Sequence, residues 1–473
     1  MPNIHYVCLS DLHLGEEDSL LTNITDEGKT EVSSPSPALV RLVECLAALL
    51  RGVSPKPTLI LNGDILELAL STVDEAATVF LHFISLVMPK DDPLFGEIVC
   101  LPGNHDHHLW ENARETQYLN YIGRLPPETP LKPPWHTTKI FMDMQGKDRL
   151  AHQFLTSIVQ RFDHLKRAGV EILTAYPNYG ILGAPGRGCV LFHHGHYVEP
   201  LYKLMSKAVS LALSRPEPAD VYELEAHNFA WIDFFWSAMG IGEDLEPIYE
   251  ATHDPGRLAE ITDRLARNVA RDYDVPYLWP DWTEEHVLKF LLRQLVVKRV
   301  AGKQERQQTR HPGEEPALTP AAAEGLRWYL EAPLRKQVEV EHGPMPGPVT
   351  FVFGHTHKPF QAARDFGGYA GKVRVLNTGG WIVESIEPEP LRGGAVVLVD
   401  DELNAVSLRM YNEGRYSVRV EEVTTGQEHS ALWREVNEIV RNDSPPWRPF
   451  NETVAAETRR RAELLRDRVE KKA

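Results

Sequence analysis

Five short runs in this chain gather carboxylate, amide and imidazole groups at spacings a metal could use. They are Asp11-Leu12-His13, Gly63-Asp64, Gly103-Asn104-His105-Asp106, His194-Gly195-His196 and Gly354-His355-Thr356-His357. Carboxylate and amide oxygens together with neutral imidazoles are hard to borderline ligands that suit Mn²⁺, Zn²⁺ or Fe²⁺. No cysteine stands in any of the runs, which argues against a thiolate zinc site or an iron–sulfur cluster. The chemistry of such a set is metal-assisted hydrolysis. Taken singly each run is weak, because a Gly-Asp after a strand is commonly a turn with an Asx hydrogen bond. With 20 histidines in the chain, one His-x-His is as readily structural as functional. Five runs in order, each following an apolar stretch, are not explained that way.

The elements that must position these runs are strands. Short Val-, Ile- and Leu-rich stretches near 4–9, 57–62 and 96–101 alternate with helical-period stretches near 37–51 and 73–88, the pattern of an α/β domain. Further strands are predicted near 170–175, 188–193, 349–354, 373–377 and 394–400. The polar runs sit where strands end, which is where open α/β sheets build their sites. Strand character disappears between 199 and 348, where Pro-rich and charged breaks interrupt a helical pattern. This predicts a core in two parts, 1–198 and 349–425, interrupted by a mainly helical insertion or cap, 199–348. Two C-terminal helices follow over 426–473, the last highly charged and solvent-facing. Residues 107–165 read as a smaller insertion.

A formal charge of −17 disfavours a protein that grips a polyanionic backbone through clustered Lys and Arg. An apolar content of 42% with 25% charged residues belongs to a globular chain, neither disordered nor built from membrane spans. The four cysteines lie far apart and read as reduced core residues. The N-terminus has no basic stretch leading into an apolar run, so the expected compartment is cytoplasmic. A basic stretch from Lys289 to Arg310 reads as a helix with a solvated face, with peripheral membrane contact as the functional alternative. Aromatic residues from Phe229 to Trp236 read as the core of a helical subdomain, with a pocket for an acyl chain or a base as the alternative.

Taken together, the runs resemble the calcineurin-like metallophosphoesterase superfamily, whose signature in order is DxH, GDxxD/E, GNHD/E, a His before Gly, and GHxH. Here these stand as DLH (11–13), GDILE (63–67), GNHD (103–106), HGH (194–196) and GHTH (354–357), and the resemblance covers roughly 1–199 and 349–411. It implies a four-layer α/β/β/α sandwich of two mixed sheets carrying a large helical insertion. It also implies two divalent metal ions per chain, with Mn first and Fe or Zn also suited. Asp11, His13, Asp64 and His357 would hold one ion, and Asp64, Asn104, His194 and His355 the other, with Asp64 bridging. By the same resemblance His105 would serve substrate as acid or charge stabiliser; read from position alone, Asp106 orients an imidazole or caps a helix, and His196, which the seven-ligand set leaves unassigned, follows Gly195 at the site mouth and touches substrate. His107, His108 and His193 read as structural.

Within that family, phosphoprotein phosphatases carry GDxxDRG and GNHE, and the phosphate-clamping Arg of that motif has no counterpart in GDILELA. GDILEL with GNHDHHLW is similar to the group containing the UDP-diacylglucosamine pyrophosphatases of lipid A synthesis, which typically carry Arg where His105 stands. The leading expectation is a hydrolase of a small or lipid-linked phosphoester or pyrophosphate. A nuclease of the same superfamily and a non-catalytic metal-binding scaffold are the alternatives.

Overall fold

A computed structural model of the chain describes residues 2–199, 202–203, 206–207, 210, 216–236, 317–424 and 428–472. The first sheet is built on four parallel strands, β1 (Tyr6–Leu9), β2 (Thr58–Asn62), β3 (Glu97–Leu101) and β4 (Ile172–Thr174). It continues beyond β1 through antiparallel β10 (Ala395–Val399), β11 (Ala405–Arg409) and β12 (Arg419–Glu422). The second sheet has the order β5-β6-β7-β9-β8. There β6 (Cys189–His193), β7 (Val349–Phe353) and β9 (Val373–Asn377) are parallel, and β5 (Asn178–Leu182) and β8 (Phe360–Arg364) are antiparallel edges.

Side-chain alternation along a strand decides how these sheets stack. Cys8, Ile60 and Val99 from the first sheet meet Val190, Phe192, Val352 and Leu376 from the second in one apolar layer. Their neighbours Val7, Leu9, Leu59 and Leu61 face the other way, into a core with α1 (Pro37–Leu50) and α2 (Val73–Val87). Helix α1 starts at Ser36, whose hydroxyl accepts from the Leu39 N–H, with proline at the first helical position. Its Leu39, Leu42, Val43, Leu46 and Leu50 recur at helical spacing and are buried. Beyond the second sheet, Leu191, Phe351 and Val375 pack against Leu326, Tyr329 and Leu330 of α7 (Pro320–Tyr329) and the π-helical turn Leu330–Leu334. The result is the four-layer α/β/β/α sandwich.

Four strands escape the sequence pattern. β8 and β12 are half exposed, β5 carries Gly180 and β11 is broken by Ser407 and ends on Arg409, so none shows a strong apolar run. Of the smaller 107–165 segment, α3 (His107–Ile122), α4 (Gln153–Val159) and part of α5 (Asp163–Arg167) are helical. Within the larger insertion, α6 (Val221–Trp236), α7 and α8 (Arg335–Glu341) are described. The basic stretch 289–310 lies outside the described residues, as do the side chains of most of the 229–236 aromatic run. Among the described residues no helix is long and apolar enough to cross a membrane, and all four cysteines are free and buried.

The last helix corrects its sequence reading. After α9 (Ala431–Ile439) comes α10 (Trp447–Lys472), which packs on α1 and buries Trp447, Phe450 and Val454. Its charged sequence hides this stripe because Arg461, 1% exposed, is part of the buried side. The Arg461 guanidinium donates to the carbonyls of Thr22 (2.6 Å) and Glu17 (3.2 Å) and pairs with Glu457 (2.5 Å), so the helix clamps the loop that follows Asp11-Leu12-His13. Arg461→Met leaves those acceptors without their donor. The expected loss is about 2–4 kcal/mol, read as a lower chemical-denaturation midpoint.

Candidate dinuclear metal centre

Parallel strands β1, β2 and β3 deliver their runs at one edge of the first sheet, and β6 and β7 deliver theirs at the matching edge of the second. Hydrogen bonds stitch the five loops together. The Asp11 N–H donates to Gly63 O (2.9 Å), and the His13 N–H to Asp64 O (3.0 Å). The His105 N–H donates to Asp64 Oδ1 (2.8 Å), and the His355 N–H to Asp11 Oδ1 (2.8 Å). Asp11, His13, Asp64, His355 and His357 all have φ between 44° and 68°, a left-handed conformation that costs a non-glycine residue about 1–3 kcal/mol. Leu403 is the one other such non-glycine residue among those described. The glycines beside these residues are there for room: a Cβ on Gly63 would run into the His194 ring, one on Gly103 into the Asp64 carboxylate, and one on Gly354 into the Asp11 carboxylate.

The donor atoms fall into three groups, one of which, His13, Glu67 and His105, shares His13 with the expected ligands. Ligand atoms of Asp11, His13 and His357 lie within 4.8 Å of one another, and so do those of Asp64, His194 and His355. His357 Nε2 is 3.4 Å from Asp11 Oδ1, and Asp64 Oδ2 is 3.0 Å from His194 Nε2 and 3.8 Å from His13 Nε2. His194 Nε2 also stands 3.0 Å from Asn104 Oδ1 and 3.2 Å from His355 Nδ1. Donors about 2.1 Å from one cation are separated by roughly 3.0 to 3.4 Å for bond angles of roughly 90° to 109°. A single ring proton cannot serve three acceptors crowded on one nitrogen, whereas a cation can. His13 Nε2 is buried with no hydrogen-bond partner among the described residues, an orphan that a metal would satisfy. The residues present fit two divalent ions.

Each of the four imidazoles turns its other nitrogen to an acceptor. His13 Nδ1 meets Glu67 Oε2 (2.7 Å), His357 Nδ1 meets Glu384 Oε1 (2.5 Å) and His194 Nδ1 lies 3.3 Å from Asn62 O, while His355 Nε2 lies 3.3 Å from Glu199 Oε1 without completing a hydrogen bond. Such contacts fix ring orientation and raise ligand basicity. Arg392 in turn pairs with Glu384. Sequence reasoning did not single out Glu67, Glu199, Glu384 or Arg392 as site residues. Glu67 had a visible signal as the fifth residue of GDILE, whereas Glu199 and Glu384 sit in no run that marks them.

The remaining expected residues are placed as follows. His105, its side chain 12% exposed, holds its Nδ1 2.8 Å from Glu67 Oε2, and its ring stands 4.8 Å from that of His13. Burial opposes its charge, but the Glu67 and Asp64 carboxylates outweigh burial and push it up to about 10. Burial likewise raises Glu67, and the neighbouring His105 and His13 more than reverse that, to about 2. Among the described residues Asp106 hydrogen-bonds to no imidazole and makes no side-chain helix cap, although it occupies the N-cap position of α3. Its carboxylate accepts from the backbone N–H groups of Gly103 (2.6 Å), Ile65 (2.8 Å) and Asp64 (3.2 Å), tying two ligand loops together. His196 is not at the mouth; it is fully buried behind His194, its ring 4.2 Å from that of Tyr197. His107 and His193 are also buried, while His108 faces Glu111 on α3.

The family model for calcineurin-like phosphoesterases matches residues 4–279. The chain belongs to that family. Four of the five runs fall inside the match, and the fifth, Gly354–His357, joins them through the parallel pairing of β6 with β7. No curated protein matches the chain. As a calcineurin-like phosphoesterase it is a metal-dependent phosphoester hydrolase, of a family that typically binds two divalent metals.

Proposed function

We propose that the chain hydrolyses a phosphoester or pyrophosphate bond of a small or lipid-linked substrate, by in-line attack of water on phosphorus. The observation that supports this most is the pairing of two donor groups through Asp64. Asp11, His13, Asp64 and His357 would hold one ion and Asp64, Asn104, His194 and His355 the other. Two divalent cations held there would supply Lewis acidity toward the phosphoryl oxygens and a hydroxide nucleophile near neutral pH.

The rest is work for side chains. Asp64 is fixed from both directions: its Oδ1 accepts from the His105 N–H, and its backbone N–H lies on Asp106. His105, held at Nδ1 by the buried Glu67, keeps a proton near the dinuclear group and delivers it to the leaving oxygen. Glu67 couples this acid to ligand His13, since its carboxylate meets both rings. Glu199, Glu384 and Glu67 keep the liganding rings from swinging away.

Manganese-loaded protein tested on a chromogenic phosphodiester, the corresponding monoester and a nucleoside-diphosphate sugar should hydrolyse at least one of them, with loss of turnover in EDTA and recovery on adding Mn²⁺. The ratio among the three assigns the substrate class. Metal-loaded protein that cleaves none of them would contradict the proposal.

A further inference from the structure

Directly after ligand His13 the chain runs Leu14-Gly15-Glu16-Glu17-Asp18-Ser19. The three consecutive carboxylates are little exposed, Glu16 at 11%, Glu17 at 27% and Asp18 at 19% of their side-chain surface. Glu16 Oε2 lies 3.6 Å from His13 Nδ1, so this acidic turn stands against the metal centre and needs cations to stay packed there. Lys29, 78% exposed, reaches Glu17 at 3.1 Å. The other cations come from the far end of the chain. On α10 the Arg468 guanidinium pairs with Asp18 and lies 3.5 Å from Glu17 Oε2, and Arg461, earlier on the same helix, donates to the Glu17 carbonyl (3.2 Å).

Asp18 matters to the centre because of what its turn holds. The Ser19 hydroxyl donates to Leu12 O (2.7 Å), inside the first ligand run. The Leu20 N–H donates to Trp381 O (2.8 Å) and the Val383 N–H to Asp18 O (3.0 Å), an antiparallel bridge about Ser19 and Ile382. The segment so held, 380–384, touches ligand His357 at both ends. A Cβ on Gly380 would run into the His357 ring, and Glu384 Oε1 meets His357 Nδ1 at 2.5 Å. Between these ends the Trp381 N–H donates to Asp11 O (3.1 Å). A shift of Asp18 is therefore passed to Asp11, His13 and His357, which form one donor group.

We propose that Arg468 is a positioning residue for the metal centre. By holding Asp18 it seats the 16–19 turn and the 380–384 segment, and through them the ion expected among Asp11, His13, Asp64 and His357. This role rests on the metal-dependent reading above and adds to it a residue 450 positions from Asp18. Loss of the Arg468 charge has two opposed effects. A cation near the centre repels metal ions, so its removal alone would tighten their binding, but at 40% exposure that charge is screened by water and salt. Stranding the Asp18 carboxylate beside Glu16 and Glu17 is the larger effect, because three little-exposed like charges then share one turn and push it from its seat.

The test titrates metal-free, full-length protein with Mn²⁺ by calorimetry. Arg468→Gln should weaken one of the two ions about tenfold and leave the other within about twofold. Anomalous scattering from its crystals at limiting Mn²⁺ should show the depleted peak among Asp11, His13, Asp64 and His357. Adding Asp18→Asn to Arg468→Gln removes the stranded charge and should recover most of the loss, a rescue that damage to the packing of α10 would not show. Arg466→Gln deletes the same charge from the same helix, where it meets the 86% exposed Glu387, and should leave both affinities unchanged. Unchanged affinities in Arg468→Gln, beside a wild type that binds two ions, would overturn this proposal alone. So would equal weakening of both ions with no recovery on adding Asp18→Asn. A wild type that binds no Mn²⁺ would overturn the metal-dependent reading and this proposal with it.

Discussion

Asp64→Asn should lower kcat by about 10³-fold or more on any substrate the wild type hydrolyses, roughly 4 kcal/mol of transition-state stabilisation. The side chain keeps its shape, so the fold is preserved, but the charge between the two donor groups is gone. Asp64 Oδ2 lies 3.0 Å from His194 Nε2 and 3.8 Å from His13 Nε2, and an amide there offers one neutral oxygen where a carboxylate served both sides. Far-ultraviolet circular dichroism checks that the variant is folded, and steady-state kinetics with saturating Mn²⁺ measures the loss. Retention of more than a tenth of wild-type kcat would remove Asp64 from the centre of the account.

The second large effect is expected at His105 and depends on the leaving group. His105→Asn should cost about 10²- to 10³-fold in kcat for an alkyl phosphoester, whose alkoxide must be protonated as it departs, and much less for a 4-nitrophenyl ester. Metal content should fall little with it, since the His105 ring is absent from the Asp11, His13, His357 and Asp64, His194, His355 groups and joins His13 only in the group that includes Glu67. Glu67 shapes this residue through the contact at Nδ1, and it shapes His13 as well. Glu67→Gln should therefore combine a weaker form of the same leaving-group dependence with weaker metal binding. An equal loss on alkyl and nitrophenyl esters in His105→Asn would show that the ring serves charge stabilisation and not proton delivery.

Much of the fold was legible because strands covered on both faces must be apolar throughout. β1, β2, β3, β6, β7, β9 and β10 announce themselves as runs of Val, Ile, Leu and Phe, and the polar runs that follow them mark the strand ends. Edge strands bury one face or less, so β8 and β12 left no comparable trace. Helix α10 was misread because a fully buried arginine, neutralised by Glu457 and two carbonyls, has the same letter as a solvated one. The candidate ligands were legible for a related reason: they cluster within a few residues of glycines that the packing requires. Glu199 and Glu384 reach their imidazoles across the fold, and spacing along the chain contains nothing of that. His196 shows the opposite failure, since proximity in sequence to His194 suggested the mouth of the site, while the 3₁₀ turn carries its ring inward.

The most direct test of the account is the number and position of bound metal ions. Metal-free protein titrated with Mn²⁺ by calorimetry, then crystallised and examined by anomalous scattering at the manganese edge, should bind two ions per chain. One peak should lie among Asp11, His13, Asp64 and His357, the other among Asp64, Asn104, His194 and His355. No bound ion, or ions held elsewhere while these residues remain unliganded, would contradict it.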